Sequence, residues 1–173
     1  MRYASIPSIV FLFGLTSCTG DISTDVLGTL ETSRLNIAGV RTGEGVPIKG
    51  RCEAVLSPPS FVSRGFIRQI DSGTCQLAHL GRAAFYSDKL INLGAGTQVT
   101  QASFTAANGD SLFAVGSGTN VLSGPGRVTF ATTLTFIGGT GRFETAGGQA
   151  RVEGEADLVA RRSTLTLEGS INC

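Results

Sequence analysis

The chain has 173 residues, 14 Lys plus Arg against 13 Asp plus Glu, 16% charged residues, no Trp and 24 glycines. So balanced a charge excludes the basic footprint of a nucleic-acid binder and leaves no charged interaction tail. Abundant Gly with Thr, Val and Leu, and few runs of good helix formers, favours an all-β chain with many turns.

Residues 1–17 read as an export signal. Arg2 gives a basic start, and the apolar run through Ile9, Val10, Phe11, Leu12 and Phe13 is too short for a permanent membrane span. The run ends in Leu15-Thr16-Ser17-Cys18, which resembles the lipobox of bacterial lipoproteins. The resemblance implies cleavage before Cys18, lipidation of that cysteine and anchoring to a membrane through several acyl chains. Thr19, rather than Asp, after the cysteine implies transfer to the outer membrane. The expected location is the bacterial cell envelope. Without Arg2 the two charge signs balance at 13 each. Residues 18–45 show no sustained period and read as a lipidated tether, with Leu35 and Ile37 as points where it could meet the domain.

Residues 46–173 read as one antiparallel β-barrel domain of about eight strands. In PIKGRCEAVL, Ile48, Gly50, Cys52, Ala54 and Leu56 alternate with charged neighbours, which predicts a strand with one buried face. Pro58-Pro59 ends it. A long connection is expected next, with Phe61, Phe66 and Ile67 packed over the domain and Asp71-Ser72-Gly73 as a turn. A second strand is expected over TCQLAHLGRAAFYSD, and others near 97–106 and 111–117. Asn108-Gly109 between these last two matches a type I′ hairpin turn, where both residues take positive φ.

The last three segments alternate most cleanly. Val128, Phe130, Leu134 and Phe136 share one face; so do Val152, Gly154, Ala156 and Leu158; so do Leu165, Leu167, Gly169, Ile171 and Cys173. Between the first two lies GGTGRFETAGG, whose glycines include Gly138, Gly139 and Gly141. A P-loop would need Lys after the glycines, and a dinucleotide fingerprint would need a following helix. Both flanks alternate as strands, so the stretch predicts a turn or bulge, with Phe143 plugging the core.

With Cys18 set aside for lipid, Cys52, Cys75 and Cys173 remain. The first pair is favoured as a disulfide, because antiparallel pairing of the first two strands would bring them face to face. Cys173 with either partner stays open. The single histidine, His79, with no CxxC, gives no metal site, and no cofactor is implied. His79 lies four residues after Cys75, which points it inward if no bulge intervenes, as a core histidine or one at the barrel rim, and it is the sole candidate acid/base.

QLAHLGR (76–82), FTAANGD (104–110) with Leu112, and FIGGTGRFETAGG (136–148) together resemble, in this order, a family of exported bacterial proteins. The last is similar to the glycine turn of the allene oxide cyclase-like and dirigent-like barrels. That resemblance implies an eight-stranded barrel with a mainly apolar cavity; no motif carries the group's active-site residues. Three readings follow: a barrel binding a small hydrophobic ligand or an envelope partner without catalysis; a cyclase or isomerase-like enzyme; and a structural module whose interior Phe104, Phe130, Phe136 and Phe143 fill.

Overall fold

A computed structural model describes residues 45–172. The signal, Cys18, the tether up to residue 44 and Cys173 lie outside the described residues. Nine strands follow in order: β1 (Val46–Leu56), β2 (Ser60–Ser63), β3 (Phe66–Leu77), β4 (Gly81–Asn92), β5 (Thr97–Ala106), β6 (Ser111–Gly124), β7 (Arg127–Gly139), β8 (Gly147–Asp157) and β9 (Arg162–Asn172). From β3 onward each strand pairs antiparallel with the next. β1 closes the ring on both sides, against β9 from Val46–Ile171 to Val55–Arg162 and against β3 from Gly50–Leu77 to Leu56–Asp71. The product is an eight-stranded up-and-down barrel, with β2 added beside the start of β3. Closure leaves the eight strands no free edge. All eight strands, and the core of described residues they enclose, lie within residues 46–172.

Two expected segments differ. The connection after β1 is short: the chain resumes at Ser60, turns at Arg64-Gly65, where Gly65 takes φ 81°, and runs on as β3. Asp71-Ser72-Gly73 is therefore mid-strand, opposite Ser87, Tyr86 and Phe85 of β4. Phe61 does not pack on the domain but is 85% exposed. The expected second strand is in fact two strands, broken by a tight turn at Ala78–Leu80. Leu158, expected on an inner face, lies in the β8–β9 turn and is exposed.

Glycines inside the strands make room for larger partners. Gly118 stands between Gln98 of β5 and Thr132 of β7 in register, and lacks a side chain to separate them. Gln98 Nε2 therefore donates across β6 to Thr132 Oγ1 at 2.7 Å. A Cβ at Gly154 would meet the Phe130 ring, whose Cζ would lie 2.5 Å away. Cys52 and Cys75 face each other across β1 and β3 and form a buried disulfide. In the chain-entropy model, such a cross-link of strands joined through a hairpin is worth roughly 3 kcal/mol.

Candidate functional site

The two ends of the barrel differ in kind. One end carries the turns at Ala78–Leu80, Ala107–Asp110 and Thr140–Ala146, together with the start of β1 and the end of β9. These turns contain the three segments singled out in the sequence, and the fold brings them together. Gly141–Phe143 forms a single 3-10 turn that drives Phe143 into the core at 2% exposure. The guanidinium of Arg142 lies 4.7 Å from the centre of the Phe143 ring. Its Nη2 donates to the His79 carbonyl at 3.3 Å, and its Nε lies 3.9 Å from Asp110 Oδ2. Gly141 is tight against Asp110: any Cβ there would overlap the carboxylate, and the backbone φ is 56°. Beneath this cap, Ile48, Leu77, Leu80, Phe104, Leu112, Phe136, Leu167 and Ile171 fill the section with apolar side chains. This end is sealed.

The turn residues take specific places in the cap. The hairpin at Asn108-Gly109 is not type I′. Among the described residues only His79 and Arg161 have positive φ without being glycine, so Asn108 stays right-handed. Gly109 N donates to the Ala106 carbonyl at 3.0 Å, and Gly109 takes φ 91°, giving a three-residue loop closed by Ala106 N on the Asp110 carbonyl. The Asn108 side chain is occupied by Asp110, through Oδ1 to its backbone N–H and Nδ2 to its carboxylate. Gly138 takes φ 107°, and Gly139 packs tightly on the Ser111 carbonyl and Phe143. His79 does not point inward: it sits exposed in the β3–β4 turn at φ 65°, because the turn ends the alternation that started at Cys75.

Midway along the barrel the interior becomes polar. Gln69, Asp71, Ser87, Lys89, Gln98, Thr100, Thr132 and Ser163 are all buried. In the β3–β4 register Gln69 faces Lys89 and Asp71 faces Ser87, so the ion pair between Lys89 Nζ and Asp71 Oδ2 runs diagonally across the two strands. The Asp71 side chain is 0% exposed and that of Lys89 11%. Lys89 Nζ also lies 5.1 Å from the centre of the Phe130 ring. Gln69 Nε2 donates to the carbonyls of Ser57 and Ile70 at 2.7 and 3.0 Å, tying the chain at Pro58 to β3. Asp71 Oδ1, Ser87 Oγ and Asn120 Nδ2 are enclosed without a hydrogen-bond partner among the described residues.

Above this belt the opposite end is open. A cavity of about 300 Å³ is walled by Leu56, Ile67, Ile91, Leu122, Val128 and Phe130, with Lys89, Gln98 and Asn120 among its few polar groups. Below, it narrows to a space of about 30 Å³ beside Ser87, Thr100 and Thr132. Leu93, Leu158 and Arg161 stand at its margin, and Phe61, Val62 and Val159 from the turns at the same end are exposed. The titrating pairs on the outside are of another kind. Arg68 donates its Nε to Asp88 at 2.8 Å, and this hydrogen bond holds the Asp88 carboxyl below the ordinary range. Such solvated pairs contribute little to stability.

The predicted residues and the cavity thus separate. His79, Asn108, Gly109, Gly138, Gly139 and Gly141 belong to the sealed end, and Cys52–Cys75 lies among the buried core residues. Lys89 and Asp71 were not anticipated. The signal was present: stepping back by twos from Cys75 passes Gly73, Asp71 and Gln69, and stepping on from Phe85 passes Ser87, Lys89 and Ile91. No family model, curated protein or solved structure matches this chain.

Proposed function

We propose that the protein is a lipid-anchored barrel of the bacterial cell envelope that holds a small, largely apolar molecule in its open end, without catalysis. The asymmetry of the interior carries this reading: one end is packed solid, and the other encloses about 300 Å³ behind apolar walls with a few polar groups. That is the lower range of small-molecule sites and their usual composition. Leu15-Thr16-Ser17-Cys18 supports the anchor, and an oxidised cysteine pair suits an exported chain. The resemblance of the glycine turn to cyclase-like and dirigent-like barrels supports use of the interior. A cyclase reading loses the acid/base candidate named from the sequence, since His79 lies at the sealed end. The filled-barrel reading fits the lower half, where Phe104, Phe136 and Phe143 pack, but not the upper half.

Native mass spectrometry of the acyl-free domain, purified from its own periplasm, is expected to reveal a co-purifying small molecule. Ile91→Trp places an indole in the cavity wall. It is expected to weaken binding of the hydrophobic fluorophore N-phenyl-1-naphthylamine at least about tenfold, with the disulfide-bonded barrel still folded. Undiminished binding in that variant would place the fluorophore elsewhere and remove the reading. For the anchor, incorporation of radioactive fatty acid is expected to vanish in Cys18→Ser.

A further inference from the structure

Resting on that reading, we infer that the cavity selects an uncharged apolar molecule carrying one hydrogen-bond-accepting oxygen, of carbonyl or ester type, at its inner end. The juxtaposition that carries the inference is a buried cation that faces the cavity and is already neutralised from behind. Lys89 lines both the cavity and the narrow space below it, whereas Asp71 is wholly enclosed and lines neither. The pair has no net charge. At the inner end a carboxylate would therefore leave one uncompensated negative charge beside the pair, and an amine one positive charge, while Arg161, the other cation of the lining, stands at the margin.

The remaining hydrogen-bonding capacity of the site favours an acceptor. An ammonium has three donors; Asp71 takes one and the Phe130 ring faces the group at 5.1 Å, so donor capacity is left for the cavity. Asn120 Nδ2 is a second donor, enclosed and without a partner among the described residues, on a residue that lines the same cavity. The glutamines compete less as donors, since the Nε2 groups of Gln69 and Gln98 are held by Ser57, Ile70 and Thr132. Hydrogen bonds from a charged donor are about twice as strong as neutral ones, so Lys89 dominates the choice. Apart from these donors, the two glutamines, whose amides are held, and Asn92 and Arg161, the large lining residues are apolar, among them Leu56, Ile67, Ile91 and Val128. Such a floor and such walls describe a chain or ring with a single polar terminus.

The test compares four probes of equal carbon number on the purified protein by displacement of N-phenyl-1-naphthylamine at neutral pH: 2-undecanone, undecane, undecanoate and undecylamine. The ketone is expected to bind about tenfold or more tighter than each of the others, one hydrogen bond to a charged donor being worth that much. In Lys89→Met/Asp71→Leu, which replaces the pair with apolar groups, the ketone's advantage over the alkane is expected to disappear while the alkane still binds. Asn120→Leu, with the ion pair intact, is expected to reduce that advantage several-fold and covers the case in which the double variant does not fold. Tightest binding by undecanoate or undecylamine, or equal binding of ketone and alkane to the wild-type barrel, would overturn the inference and leave the cavity reading standing. Failure of all four to displace the fluorophore would overturn both.

Discussion

Asp71→Asn is expected to lower the unfolding free energy of the barrel by about 3–5 kcal/mol, because it removes the countercharge of a buried ion while leaving the ion in place. Asp71 is completely enclosed, and the side chain of Lys89 is 11% exposed, so water reaches the ammonium only from the cavity side and replaces little of the carboxylate's compensation. The same pair replaced as a unit by Leu at 71 and Met at 89 is expected to fold within about 1 kcal/mol of the parent, or to be more stable, since two desolvation costs vanish along with one attraction. Denaturant melts of the two single variants and the double variant measure the coupling directly. Single and double variants that lose stability equally would show that packing, rather than uncompensated charge, governs this part of the interior.

Phe143→Ala is the second large effect, expected at about 3–5 kcal/mol from the lost burial and the cavity left behind. The Phe143 ring is driven into the core of the sealed end, and its exposure is 2%. Its loss also leaves the Arg142 guanidinium without the ring it covers, and so loosens the group that joins His79 to Asp110. Increased hydrogen exchange should accordingly spread to the Ala78–Leu80 and Ala107–Asp110 turns, while amides near the Gly94–Gly96 turn at the open end change little. Exchange that rises equally at both ends would show that the cap is not a separate unit.

Much of this architecture was legible in the chain. The alternation in β7, β8 and β9 gave strands, faces and class, and parity with the expected antiparallel pairing of the first two strands favoured Cys52 with Cys75, the disulfide the structure has. The glycine turn was readable because its neighbours exclude a helix. The failures share a physical cause. Asp71-Ser72-Gly73 has turn chemistry, yet each residue has an interior use: Asp71 pairs with Lys89, and Gly73 packs so closely on Ala54 that a Cβ there would lie 2.6 Å from its Cα. His79 has none of the usual turn chemistry but adopts the left-handed conformation beside Gly81, and a single unforeseen turn reverses every inference drawn by counting across it. Lys89 was hidden for the related reason that a buried charge in sequence looks like a solvated one. Only its partner, eighteen residues earlier on a neighbouring strand, distinguishes the two.

The barrel's sealed end also governs time. On the proposed function, a vessel with one opening fills and empties along a single path, so guest arrival and departure would share the same narrowest point. Adding bulk at the margin, at Leu93 or Leu158, would then slow both passages by one common factor and lengthen residence without changing affinity. Changing the floor at Lys89 would alter how long a guest stays and leave its rate of arrival almost untouched. With Phe143 and Arg142 closing one end, the turns at the other end would set the exchange rate of any such guest.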